Sequence, residues 1–474
     1  MTHGVHRRLL WVLTGGIVMT TATAQAEKGA GRIQPWGENP RFWQYGGKPV
    51  WLLGGSVKDN LFQIPDLEAH LDLLVSVGGN YIRNTMSDRP DQGFEIKAFA
   101  RGEDGRYDLS HWNDAYWQRF EMLLQLTSAR DIIVQIEMWD RFDHGQDNWQ
   151  SDPYNPTNNI NYGHDESGLA AEYPDHPGSN GQPFFYTVPE LGDNRVVLPF
   201  QQAFIDKVLS CSLKYDNILY CMDNETSGDP AWGRYWAKYV GDAAAIAGVD
   251  VEITEMWDHW DVRHETHRPT FDHPELYTFV DIAQNSHNPG QTNWERAQWV
   301  RAYLADHPRP MNSTKIYGAD TSKWTDRGVS AEHGQQVFWR NLIGGFASSR
   351  FHRPPSGLGL SETAQANLRS ARMLQAHFDV FHAEADADFQ LLSDRDENEA
   401  YAAVVSGRQY AVYFPDGGQV RLDAGDVPVG VNLTVAVMDI AASRWLDGVS
   451  LAAGGGMIDL RTPPGPHIAL VTKD

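Results

Sequence analysis

The sequence predicts a (β/α)8 barrel followed by a small antiparallel β-sandwich, and three observations carry that expectation. From about residue 50 to 352, short apolar runs alternate with longer amphipathic segments, as parallel strands joined by crossover helices require. Polar and aromatic residues gather at the ends of nearly all these runs, where barrel enzymes keep their chemistry. Beyond about residue 382 the pattern becomes period-two alternation in short runs, the signature of antiparallel strands with unlike faces.

The first 26 residues form the earliest element. A basic pair (Arg7, Arg8), an apolar run from Leu9 to Val18 and the small-residue ending Ala24-Gln25-Ala26 are laid out as a secretory signal peptide, and the run is too short to span a bilayer. No other long apolar run follows, so the expectation is a soluble protein, secreted or periplasmic. The barrel is expected over 27–382. Its eight strand runs are "VWLLGGS" (50–56), "GGNYIRNTM" (78–86), "IIVQIEMWD" (132–140), "ILYCMDNE" (218–225), "VEITEMWD" (251–258), "FVDIAQNSH" (279–287), "MNSTKIYG" (311–318) and "FASSRFHR" (346–353). Helical periodicity separates them, as in "LEAHLDLLVSV" and "WERAQWVRAYLADH". An open doubly wound sheet would show the same alternation, but "LLGGSVKDN" after the first run lacks the glycine spacing of a dinucleotide or phosphate loop. The polar stretch 140–190 has no sustained period, and loops of that length are functional or disordered; its aromatic content favours order. The sandwich is expected over 383–474, in the runs "AYAAVV", "QYAVYF", "QVRLDA", "LTVAVMD", "MIDLRT" and "HIALVT".

Composition narrows the function classes. A formal net charge of −23 opposes binding to nucleic acid or anionic membranes, so neither is an expected partner. Cys211 and Cys221 make no disulfide framework, whether they form one bridge or two buried thiols, so a large core must carry stability. Seventeen Trp, 18 Tyr and 19 Phe supply many flat apolar faces for such a core or for sugar rings. No zinc helix, calcium loop or G-x-S-x-G elbow occurs, so no metal or cofactor is expected and a serine hydrolase is disfavoured.

The sharpest chemical signal is "ILYCMDNETSG", an apolar strand ending in Asn224-Glu225. Glycosidic cleavage needs one carboxylic acid to protonate the leaving oxygen and a second carboxylate as nucleophile or base. An acid on a strand tip, with an amide beside it to hold a sugar hydroxyl, suits the first role; the same letters also suit a helix N-cap region.

A barrel whose fourth strand ends in Asn-Glu resembles the clan of retaining glycoside hydrolases (clan A type) in which that Glu is the acid/base. The stretch "GENPRFWQYGGKPVWLLGG", with a β-sandwich after the barrel, is similar to bacterial glycosidase-like proteins with a collagen-binding-type C-terminal domain. The resemblance implies a nucleophilic Glu at the end of strand seven. Here that strand reads "MNSTKIYGAD", with Thr314 and Lys315 at the expected place and Asp320 the nearest acid. Either Asp320 reaches back, another strand supplies the second carboxylate, or the protein is not a standard retaining enzyme.

The letters "EMWD" end both the third and the fifth runs, so Glu137 and Asp140 on one side and Glu255 and Asp258 on the other would flank Glu225. Neighbouring strands lie about 4.8 Å apart, so such tips reach the separations that glycosidase carboxyl pairs use. Crowded carboxylates raise one another's pKa, which would keep one protonated. Glu255 is the first candidate partner for Glu225 and Asp320 the second. Trp139 and Trp257 offer faces to sugar rings, or pack in the core. Asp59, Asn60, Arg83, Asn84, Gln284, His287, Lys315, Arg350 and His352 add polar groups at other tips. The cations Arg83, Lys315 and Arg350 raise the option of an acidic sugar, or pair with the rim carboxylates. The expectation is a hydrolase of a plant, algal or microbial polysaccharide or its oligosaccharides. The alternatives are a carbohydrate-binding barrel without hydrolysis and a polysaccharide lyase.

Overall fold

The computed structural model describes Met1 and residues 31–173, 181–448, 450–453 and 455–473. Apart from Met1, the predicted signal peptide lies outside the described residues. Each of the eight apolar runs contains a strand: β1 Leu52–Gly55, β2 Tyr81–Thr85, β3 Ile133–Asp140, β4 Ile218–Asn224, β5 Glu252–Thr254, β6 Val280–Asp281, β7 Met311–Asn312 and β8 Ser348–Phe351. Six of them form one parallel sheet in the order β5-β4-β3-β2-β1-β8, and β6 pairs with β7. Backbone hydrogen bonds link the two groups. Thr278 N donates to Ile253 O (3.0 Å) on one side, and Ala347 N to Met311 O (2.9 Å) and Arg350 N to Ser313 O (3.0 Å) on the other.

Every residue of β3 and β4 is buried, which explains why these strands read as continuous apolar runs until their tips. A helix follows each strand: α1 Leu67–Ser76, α2 Asp114–Ser128, α3 Leu198–Ser212, α4 Pro230–Ala247, α5 Arg268–Phe271, α6 Gly290–Tyr303, α7 Ala331–Ile343 and α8 Glu362–Gln375. Local chemistry starts and stops them. Asp229 accepts from Ala231 N ahead of Pro230 at the start of α4, and Gly248 ends it at φ 70°. In α8 the buried residues Ala364, Leu368, Ala371 and Leu374 recur at helical spacing and form its inner face.

The described residues of the segment after β3 are held by side-chain contacts where periodicity is lacking. Asn155 Nδ2 donates to Trp149 O (2.9 Å), Asn159 Nδ2 to Pro153 O (3.1 Å), and Phe184 stacks on His144 at 3.8 Å. Short helices at Gln146–Ser151, His164–Ser167 and Pro183–Tyr186 punctuate it. Cys211 and Cys221 are both buried and free.

All six C-terminal runs lie in strands. Four of them contribute to a seven-stranded sheet and two to a three-stranded sheet, with Leu392–Ser393 as the latter's third member. Alternation sorts the larger sheet's side chains. Ala400, Ala402, Tyr410, Val412, Phe414, Leu433 and Val471 join Val420, Leu422, Ile458 and Leu460 of the smaller sheet in one apolar cluster. Their neighbours Tyr401, Ala403, Ala411, Tyr413, Ile468 and Leu470 join Trp294 of α6 and Trp339 of α7 in the main core. The larger sheet is therefore buried on both faces.

Glu252 opens β5 as a buried carboxyl. Burial, followed by the nearby charge of Asp250, pushes its carboxyl up to about 7 against a hydrogen bond from Thr278. A carboxyl raised on folding holds its proton more tightly in the folded state, so stability falls as pH rises from about 4.5 through about 7. Glu252→Gln is expected to remove a slope of the order of 3 kcal/mol across that window. Urea unfolding at pH 5 and pH 7.5 measures it, and an unchanged slope in the variant would reject the assignment.

Candidate active site

The C-terminal ends of β3, β4, β5 and β7 converge on Glu225. The backbone first brings the tips of β4 and β5 together: beyond the regular pairing, Thr226 N donates to Met256 O (2.7 Å) and Asp258 N to Thr226 O (2.9 Å). Glu225 stands immediately before these contacts at φ 52°, a left-handed conformation that is uncommon for a residue with a side chain and concentrates at functional positions. Opposite it, Ile316 N donates to Arg350 O (2.9 Å) and His352 N to Ile316 O (3.0 Å), which keeps the chain after β7 extended. Lys315 and Tyr317 stand two residues apart on that extended chain, so both side chains face the same way. Lys315 Nζ donates to Glu225 Oε1 at 2.7 Å and also to Asn224 Oδ1, while Tyr317 Oη donates to Glu225 Oε1. The Tyr317 ring lies between His287, stacked at 4.4 Å, and His352 at 4.8 Å.

Arg141, the residue after β3, completes the cluster. Its Nη2 is 2.6 Å from Asp258 Oδ2 and 4.0 Å from Glu225 Oε2. Burial pushes the Glu225 carboxyl up, but the charges of Lys315 and Arg141 and the hydrogen bonds from Lys315 and Tyr317 outweigh it and hold the group well below the usual carboxylate range. Asp258 is moved the other way, raised by burial and then by the charge of Glu225 against the opposing Arg141. Its side chain remains 35% exposed. The two neighbouring carboxyls are thus pushed in opposite directions.

An open depression of about 500 Å³ adjoins Asp258 and is lined also by Trp260, Gln284, His287, Asn288, Pro289, Arg327 and Val329. Its volume falls within the roughly 300–1,000 Å³ of small-molecule sites.

Several sequence-predicted roles change on this geometry. Glu225 occupies the expected strand tip, where it is ion-paired with Lys315 and held below the usual carboxylate range, a state opposed to the acid role expected of it. Glu255, the first candidate partner, is 1% exposed and lies beneath the mouth, where Oε1 accepts from Asp223 N (3.0 Å) and Met256 N (3.2 Å). Helix α4 closes over it at Gly233, where a Cβ would stand 2.2 Å from Glu255 Oε2. Asp320 is exposed and accepts from Ala331 N (3.3 Å) at the start of α7. Trp139 packs among Phe184, Phe204, Trp232 and Trp236, and buried Trp257 donates Nε1 to Thr270, so both are core residues and not sugar platforms.

Glu137 and Asp59 pair with Arg83 inside the barrel, and Asp59 also meets Arg353. Arg350 donates to Thr314 O and Ser56, Asn84 accepts from Phe62 N, and Asp140 meets Arg89 at 3.2 Å. Arg83, Asn84 and Arg350 are fully buried, and Asp140 and His352 nearly so, which takes all five away from an open rim. Of the three cations, Arg83 and Lys315 pair with acids and Arg350 with neutral oxygens, so the case for an acidic sugar loses its free charges. Gln284 and His287 do reach the depression. Sequence reasoning missed Arg141, Tyr317 and Trp260. The first two follow predicted tips by one residue or sit within one, so widening each tip by a residue would have found Arg141.

No family model matches the sequence, and no curated protein matches it. Similarity to solved structures is extensive and defines the class of fold. A glycoside hydrolase family 5 protein from Bacteroides vulgatus ATCC 8482 superposes with a TM-score of 0.61 at 12% identity, covering 93% of each chain. A putative glycoside hydrolase from the same organism gives 0.59 at 13% identity, over 94% of this chain and 82% of that one. The alpha-amylase of Geobacillus thermoleovorans, complexed with acarbose, gives 0.55 at 10% identity, over 89% and 98%. At these identities the likeness is one of fold: an α/β barrel carrying a C-terminal antiparallel β-structure.

Proposed function

We propose that this protein is a secreted glycoside hydrolase that cleaves a plant, algal or microbial polysaccharide or its oligosaccharides with Glu225 and Asp258. The observation that carries the proposal is the pair itself: Glu225 and Asp258 stand on neighbouring strand tips, both within reach of one Arg141 nitrogen. Asp258 donates its proton to the leaving glycosidic oxygen. Glu225 supplies the negative charge that the oxocarbenium-like transition state needs, as nucleophile or through water. Lys315 and Tyr317 fix which Glu225 oxygen is engaged, leaving Oε2 toward Arg141 and Asp258. The shared fold of the neighbouring glycoside hydrolases supports the reading, and the N-terminal 26 residues support export.

Lys315 favours a second reading. A cation now stands on strand seven where the resembled clan places its nucleophile, and it neutralises Glu225, as a barrel that binds saccharides without cleaving them would allow. Digestion of a polysaccharide panel in ¹⁸O-labelled water separates the readings. New reducing ends carrying the label are expected. Saccharide binding without products would establish the second reading, and an unsaturated ultraviolet-absorbing product would make the protein a lyase.

A further inference from the structure

Trp260 is 52% exposed, although tryptophan is ordinarily among the more buried residues and the other mouth tryptophans, Trp139 and Trp257, are core residues. Its ring is nonetheless held in place. The Arg296 guanidinium lies over the indole at 4.6 Å, and that guanidinium is fixed in turn by Asp261 at 3.3 Å and by a hydrogen bond to Asn288. Asn288 Nδ2 also donates to the Trp260 carbonyl at 2.9 Å. The His259 ring runs nearly parallel to the Trp260 ring at 5.8 Å, so the half-exposed indole is a preorganised flat group at the edge of the depression that Asp258 shares.

A second observation points to a ligand in the same place. Gln284 lines the depression, is 3% exposed, and its Nε2 has no hydrogen-bond partner among the described residues. A buried amide donor without an acceptor is destabilising unless something occupies the site. A sugar ring set with its C–H face on the indole would place its hydroxyls on the Gln284 side of the depression.

We propose that Trp260 and Gln284 form a sugar-binding subsite on the leaving-group side of the candidate active site, taking one pyranose ring of an oligosaccharide. The side follows from the lining: the depression meets Asp258 and not Glu225, so a ring on the indole lies on the side of the proposed acid. This assignment of side rests on the hydrolase reading, while the subsite itself does not. The chain then prefers an oligosaccharide over a glycoside with a small leaving group.

The test uses the full protein with cello-, xylo-, manno- and laminarihexaose for binding and turnover, and the matching glycosyl fluorides, which place no ring on the leaving-group side. Trp260→Ala is expected to weaken binding of the accepted hexaose about tenfold and to raise its KM similarly, with kcat/KM for the fluoride unchanged. Trp260→Phe should recover part of the loss, and a thermal melt confirms that each variant is folded. Unchanged hexaose binding and KM in folded Trp260→Ala overturns the subsite while the hydrolase reading stands. Trp260-dependent binding without turnover of any probe supports the subsite and rejects the hydrolase reading. An equal loss on hexaose and fluoride overturns the assigned side, and failure of every probe to bind or react overturns both proposals.

Discussion

Glu225→Gln is expected to lower turnover on the cleaved saccharide by about 10⁴, near the upper end for loss of an acid/base group, while leaving the protein folded. The amide keeps the shape of the carboxylate but removes its charge, and Lys315 and Arg141 then face the developing positive charge of the transition state uncompensated. Asp258→Asn should behave differently. It removes the transferable proton, so turnover of saccharides falls strongly while turnover of glycosyl fluorides, whose leaving group needs little protonation, falls less. The sign of the pH dependence follows from the same two groups. Glu225 lies well below the usual carboxylate range, so it stays ionised as the medium becomes mildly acidic. Asp258 is raised from its ordinary value and must be protonated to act as the acid, so kcat/KM should fall as pH rises through that value, and this alkaline limb should disappear in Asp258→Asn. Full activity in a folded Glu225→Gln variant would remove the proposed mechanism.

Lys315→Met should cost about 3–5 kcal/mol of stability at pH 7, the scale for stripping one partner from a buried ion pair. Lys315 is 2% exposed and Glu225 10%, so water cannot replace the lost ammonium, and Arg141 at 4.0 Å remains the nearest cation paired with Glu225. Burial then outweighs the remaining attraction and lifts the Glu225 carboxyl above its ordinary value. The variant should therefore regain stability as pH falls from 7 toward 5, whereas the native pair loses its contribution only at far more acid pH, as Glu225 takes up its proton. Adding Glu225→Gln to Lys315→Met should restore much of the loss, because no buried charge is left alone. Urea unfolding of the two single variants and the double variant at both pH values gives the coupling directly. Additive losses would show that the pair holds nothing together.

The strands were legible because burial on both faces writes itself as short apolar runs, and their polar tips marked the end of the barrel that carries the site. Glu225 was visible for that reason. Its role was not, because the decisive partners come from strand seven, about ninety residues later, and letters do not show that Lys315 and Tyr317 point at the same oxygen. The repeated "EMWD" was misjudged for a geometric reason. Glu255 precedes Asp258 by three residues, enough to put the first inside the barrel beneath Asp223 and the second at the rim. Trp139 fell inward with β3 and Trp257 with the bridge to Thr226 just past β5, whereas Trp260 lies beyond that bridge and faces outward.

The larger C-terminal sheet has consequences for how such a chain can be inherited. Its strands alternate between two apolar partners, the smaller sheet on one side and Trp294 and Trp339 of the barrel helices on the other. A gene fragment beginning near codon 383 would encode a sheet with one greasy side uncovered, prone to stick to its own copies, and would leave two barrel tryptophans bare on the piece left behind. Recombination can therefore move this sheet between genes only along with helices shaped to receive it, so the two halves should share a single line of descent.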